Sequence, residues 1–131
     1  MDIVRIEPGR HFAAAVAGGG HLNISGTIAE THDAPVEIQT REVLARIDAL
    51  LAAAGTDKTR LLSVNVYLPH IRDYEAMNRV WDAWVDPDHK PARATLEARL
   101  AIESLRVEMS AVALLGEAAQ APETPGSDNM R

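Results

Sequence analysis

Between Pro35 and Gly55 the apolar residues Val36, Val43, Leu44, Ile47, Leu50 and Leu51 recur at three- and four-residue spacing, and this stretch constrains the fold more than any other. The spacing predicts one helix running to Ala54, with a single apolar stripe about 30 Å long at 1.5 Å per residue. Proline suits the first turn of such a helix and glycine suits its end. A stripe that long must be covered by a second layer of structure.

The flanking segments have the period of strands. Ile3, Val4 and Ile6 suggest a short first strand. Ala13 to Ala17 and Leu22 to Ile28 flank Gly18-Gly19-Gly20, which we read as a hairpin turn. A phosphate loop fits less well, because no Gly-Lys-Ser/Thr follows the glycines. After a capping turn at Thr56-Asp57-Lys58-Thr59, Leu62, Val64, Val66 and Leu68 alternate with Ser63, Asn65 and Tyr67, as in a strand with one buried face. A second helix is predicted from about Ile71 to Val85, with Tyr74, Met77, Trp81 and Trp84 on one side, an aromatic stripe read as core packing. The run Asp86 to Pro91 ends it. Ala92 to Leu100 and Leu105 to Leu115 read as two strands joined by a short turn.

Two helices on one face of a mixed, largely antiparallel six-stranded sheet make a two-layer α+β sandwich. The domain is expected to span 1–115. Residues 116–131, rich in Ala, Pro, Glu, Ser and Gly without periodicity, are expected to form a disordered tail. The second sheet face needs cover, and self-association into a closed ring would supply it.

The 131 residues include no cysteine, which removes disulfides, thiolate nucleophiles and cysteine-ligated metals from consideration. The start, Met1-Asp2-Ile3-Val4-Arg5, lacks the basic flank and apolar core of a signal peptide. No apolar run approaches the ~20 residues that span a bilayer, so a cytoplasmic location and no membrane partner are expected. A formal net charge of −6 has the wrong sign for a nucleic-acid surface, although one placed arginine can still bind a small carboxylate. His11, His21, His32, His70 and His89 show no paired spacing on a helix, so they read as surface or turn residues and no metal site is expected. Ser25 lacks the Gly-x-Ser-x-Gly setting of a hydrolase elbow. Glu108 lies between Val107 and Met109, and strict alternation gives it a face with Arg106 and Ser110. By themselves, Arg93 and Glu108 fit solvated strand charges.

The stretch Pro91-Ala92-Arg93-Ala94-Thr95-Leu96, followed by Arg99, Ala101 and Val107-Glu108-Met109, resembles the signature of the RidA family, also called YjgF or L-PSP endoribonuclease-like. Ile24-Ser25-Gly26, Gln39-Thr40 with Ala53-Ala54-Gly55, and Asn78 within Met77 to Trp81 extend the resemblance across about Ile3 to Leu115. It implies a chorismate mutase-like fold assembled as a homotrimeric barrel, with sites between subunits and no cofactor. The implied activity is hydrolysis of reactive 2-imino acids and their enamines to 2-keto acids and ammonia, which protects pyridoxal-phosphate enzymes. Arg93 would clamp the substrate carboxylate in a bidentate pair, a geometry that lysine lacks. Glu108 would activate water or pass a proton to the leaving amine. Ser25, Gly26, Asn78 and Thr95 would line the pocket, with Phe12 as the aromatic nearest the family's tyrosine and Thr95 where many members have cysteine. A non-catalytic trimer that binds keto acids is the alternative. The RNA cleavage or translation inhibition implied by the older family name sits poorly with the acidic charge.

Overall fold

The computed structural model describes residues 2–116. Strand β1 (Val4–Pro8), β2 (Ala13–Gly18) and β3 (His21–Ile28) form an antiparallel meander. Gly18 pairs with His21, and Gly19 and Gly20 have φ of 60° and 81°, so the triple glycine is a two-residue hairpin turn. Left-handed conformation at both central positions is what such a turn requires, and glycine meets it without strain.

Helix α1 (Val36–Ala53) follows Pro35 and ends as the spacing predicts. Gly55, at φ 77°, donates to the Ala52 carbonyl while Thr56 N–H reaches back to Leu51, so the last carbonyls are satisfied by a glycine-dependent cap. Asp57 accepts from the Thr59 N–H at 2.8 Å, which confirms the capping turn that leads into β4 (Leu61–Leu68). Helix α2 (Tyr74–Trp84) comes after a single 3-10 turn at Ile71–Asp73. Strands β5 (Ala92–Glu97) and β6 (Glu108–Leu114) complete the sheet.

The sheet order is β1-β2-β3-β6-β4-β5, antiparallel except for the β4–β5 pair. The α+β expectation is met: α1 and α2 pack together over one face, and Leu22, Leu44, Ile47, Leu68, Met77 and Met109 are among the side chains lost to solvent between the layers. Burying each contributes roughly 1.5–3 kcal/mol.

Three local readings are corrected. Leu62 is 43% exposed, because a register shift between Leu61 and Ser63 turns Leu61 into the core instead. The last two strands are not joined by a short turn. β5 lies at the sheet edge parallel to β4, and the chain takes ten residues to reach β6 in the middle of the sheet. Arg106 precedes β6 and leaves the alternation, turning instead to Asp73. Of the segment read as a tail, only Gly116 is among the described residues.

That ten-residue crossover is held by buried polar groups. Gln39, fully buried on α1, donates to the carbonyls of Ala34 and Ser104 at 3.1 and 3.2 Å and accepts from Arg106 N–H at 2.7 Å. The Arg106 guanidinium then grips both oxygens of the buried Asp73 at 2.8–3.0 Å, at the start of α2. The positive end of the helix favours that carboxylate as well. Because a buried amide left unpaired costs its full desolvation, Gln39→Leu is expected to remove about 2–4 kcal/mol of stability. Urea unfolding at one fixed protein concentration tests this, and a loss below about 1 kcal/mol would show that water replaces the glutamine.

Candidate active site

Seven residues carry the functional expectation, and the fold divides them into two groups. Strand register assigns the faces. Arg93 pairs with Val64, which in turn pairs with Ala111, and both partners are buried beneath the helices. Arg93 and Thr95, two apart on β5, therefore point toward α2. Asn78 occupies α2 on the same helical face as Tyr74 and Trp81, four residues after one and three before the other. The Arg93 guanidinium carbon lies 5.0 Å from the Trp81 ring centre and 5.8 Å from that of Tyr74. No described residue offers it a hydrogen bond or an ion pair. The buried Asn78 Oδ1 and Thr95 Oγ1 also lack partners. Arg93 and Thr95 on β5 and Asn78 on α2 thus carry polar groups without partners among the described residues.

Glu108 opens β6 on the other face. It pairs with Tyr67 on one side and Ile28 on the other, while Met109, Ala111 and Ala113 fill the core side. Ser25 and Gly26 lie at an irregularity in β3 between Ile24 and Thr27, where the register with β6 shifts. A Cβ on Gly26 would overlap the Glu108 carboxylate, so glycine here allows the acid to lie against the backbone. The Ser25 hydroxyl donates to the Ala13 carbonyl at 2.6 Å. Burial pushes the Glu108 pKa above its ordinary 4.5, and no described residue hydrogen-bonds or ion-pairs with the carboxylate. Phe12, just before β2, is 65% exposed and lines a cleft of about 570 Å³ with Ser25 and Gly26.

The polar groups on the α1 side of that cleft are already paired. Arg46 binds Glu7 in two hydrogen bonds, and Glu42 accepts from both the N–H and the hydroxyl of Thr31 at 2.8 and 2.7 Å. The Thr31 bonds hold the Glu42 pKa below its ordinary value. Unsatisfied polar capacity is concentrated instead at Glu108 and under α2. Within one chain these groups cannot meet. Arg93 and Glu108 are separated by β4, roughly 10 Å across the sheet and about 10 Å along it, and they face opposite sides.

All five histidines are exposed, and among the described residues no three His, Asp or Glu side chains converge to hold a metal ion. No described helix is long and apolar enough to cross a membrane. The sequence reading took Tyr74 and Trp81 as packing; Trp81 is buried in the core as read, whereas Tyr74 is 38% exposed, and both rings also lie against the Arg93 guanidinium. Their i, i+4, i+7 spacing with Asn78 places all three on one face of α2.

The family model described as Endoribonuclease L-PSP matches residues 3–115. A RutC family protein of Haemophilus ducreyi is 39% identical over 107 residues, covering 82% of this chain and 92% of the relative. The RutC family protein YoaB of Escherichia coli is 37% identical over 113 residues, covering 86% and 98%. Among solved structures, NMB1025 of Neisseria meningitidis, a member of the YjgF protein family, superposes with a TM-score of 0.86 at 40% identity, covering 88% of this chain and 97% of that one. The resemblance read from Pro91 to Met109 is therefore one of descent as well as of motif: the chain belongs to the endoribonuclease L-PSP family, shared with the YjgF and RutC proteins.

Proposed function

We propose that this protein is a cofactor-free imine deaminase, hydrolysing 2-imino acids to 2-keto acids and ammonia at sites shared between neighbouring copies. The observation that carries the reading is the pairing of two incomplete half-sites on one chain. One offers a guanidinium without a counter-ion beside two orphaned buried atoms. The other offers an unpartnered, partly desolvated carboxylate beside a glycine. An unpaired buried polar atom costs about 1–3 kcal/mol, so a ligand that satisfies these groups gains affinity from each.

The chemistry follows from the groups. The Arg93 guanidinium holds the substrate carboxylate through two parallel N–H···O bonds. Asn78 Oδ1 and Thr95 Oγ1 take the remaining polar contacts on that side. Glu108, ionised, accepts a proton from water as its oxygen adds to the carbon of the protonated imine, forming a C–O bond and a neutral carbinolamine. It returns that proton to nitrogen and takes the hydroxyl proton as the C–N bond breaks and the carbonyl forms, and this last proton passes to the departing ammonia. A pKa raised by burial makes Glu108 a better base than an exposed glutamate and a competent acid in the return step. Assembly as a ring of three copies brings one copy's Arg93 edge against the next copy's Glu108 face and covers the open side of the sheet.

Three outcomes are expected. In a coupled assay with threonine dehydratase, the wild type accelerates 2-ketobutyrate release. Arg93→Ala and Arg93→Lys lose at least tenfold in kcat/KM, and Glu108→Gln loses about a hundredfold in kcat. An Arg93→Ala protein as fast as the wild type would sink the reading. Saturable keto acid binding that depends on Arg93 but brings no acceleration would leave a carboxylate-binding module.

Mixing the two inactive variants tests the shared site. In randomly assembled trimers of Arg93→Ala and Glu108→Gln chains, a half times a half, or about a quarter, of the interfaces carry both native groups, and activity returns in that proportion. No recovery after co-refolding would place the site within one chain.

The pH profile gives the third. Glu108 must be ionised to accept a proton, and burial raises its pKa, so kcat/KM falls with decreasing pH at a midpoint above 4.5. Glu108→Gln removes that acid limb. A limb that persists in the variant would assign it to another group.

A further inference from the structure

We propose that Tyr74 and Trp81 act as positioning residues for the Arg93 guanidinium, and that Trp84 with Asp48 and Lys58 braces Trp81 from behind. The inference rests on the carboxylate clamp proposed above and extends it to residues that nothing in the family signature assigns. A guanidinium is planar and weakly hydrated, and it stacks readily on aromatic faces. Arg93 has two such faces within reach, at 5.0 and 5.8 Å, and no polar partner among the described residues. The rings therefore replace the carboxylate that normally orients a partly buried arginine. An acidic partner would occupy the N–H edge, whereas aromatic contacts leave it open for a ligand.

The brace continues outward. Trp81 and Trp84 stand 5.5 Å apart between ring centres, tilted by 51°. The Trp84 indole N–H donates to Asp48 Oδ2 at 2.8 Å, which ties it to α1. Lys58 caps the other side, its ammonium 5.0 Å from the Trp84 ring centre and 2.6 Å from the Trp84 carbonyl oxygen. Trp81 is thus wedged between a fixed indole and the guanidinium. Tyr74 is 38% exposed at the start of α2 and contributes from the open side, where its replacement costs the core little.

The test combines a measurement without ligand and one with it. In the proton–nitrogen NMR spectrum, the Arg93 Nε–H resonance is identified by its loss in Arg93→Ala. It is expected upfield of free arginine, shifted by the two ring currents. Tyr74→Leu moves it back toward the free position and Tyr74→Phe leaves it in place. Calorimetric titration with 2-ketobutyrate is then expected to give a Kd roughly three- to tenfold weaker for Tyr74→Leu and unchanged for Tyr74→Phe. Turnover by Tyr74→Leu shows the same rise in KM with kcat retained, because the proton-transfer group lies elsewhere. Trp81→Tyr, which keeps a ring, outperforms Trp81→Leu in the same titration. An Arg93 resonance at the free position in the wild type overturns the brace directly. A shifted resonance with equal Kd for all Tyr74 variants overturns the positioning role. A shifted resonance in a wild type that binds no 2-ketobutyrate overturns the function proposed above and reduces the stack to packing.

Discussion

Insertion of the last strand between β3 and β4 governs nearly everything else in this molecule. β6 has neighbours on both sides, so its pleat divides the protein: Met109, Ala111 and Ala113 go under the helices, and Glu108, Ser110 and Val112 go to the open face. A shift of one residue would bury the glutamate and expose the methionine. The same topology sends β5 to the edge, parallel to β4, where Arg93 has no strand beyond it and only α2 above it. The acid and the base of the family motif are fifteen residues apart in sequence yet on opposite sides of one sheet. Chain connectivity, rather than side-chain chemistry, keeps Arg93 and Glu108 apart within one copy.

The price of that topology is a ten-residue crossover that has to return to the middle of the sheet. Gln39, Asp73 and Arg106 hold it with charge-assisted and buried hydrogen bonds. Their satisfaction contrasts with the state of the proposed site. Arg46 has Glu7 and Glu42 has Thr31, whereas Arg93, Asn78 Oδ1, Thr95 Oγ1 and Glu108 have no polar partner among the described residues. Native proteins pair nearly all buried polar groups, and the two buried exceptions among the described residues, Asn78 Oδ1 and Thr95 Oγ1, fall on residues that the family resemblance singles out, which is what supports the proposed ligand site.

Aromatic rings lie against Arg93 where a polar partner would otherwise be. A guanidinium paired with a carboxylate is well placed but already occupied. Arg93 instead lies over the rings of Tyr74 and Trp81 and has no polar partner among the described residues. The indole of Trp84, hydrogen-bonded to Asp48, links that arrangement to the packing of α1 on α2. One set of rings thus joins the packing of α1 on α2 to the guanidinium of Arg93.

Much of this was legible along the chain. The period of α1, with Pro35 and Gly55 at its ends, is a local property, because capping and amphipathicity depend on residues within a few positions of one another. The hairpin at Gly19-Gly20 and the two-layer class follow from equally short-range signals. Motif resemblance named Arg93 and Glu108. Residue spacing could not reveal that β5 and β6 are not neighbours, that Leu61 displaces Leu62 from the core, or that Arg106 leaves the strand for Asp73. Each depends on which distant segment lies alongside, and strand pairing is decided by the packing of the whole sheet. For the same reason the sequence alone named the residues that carry the family signature, and only the tertiary structure decided that Arg93 and Glu108 face opposite sides of the sheet, with the rings of Tyr74 and Trp81 rather than an acid beside the guanidinium.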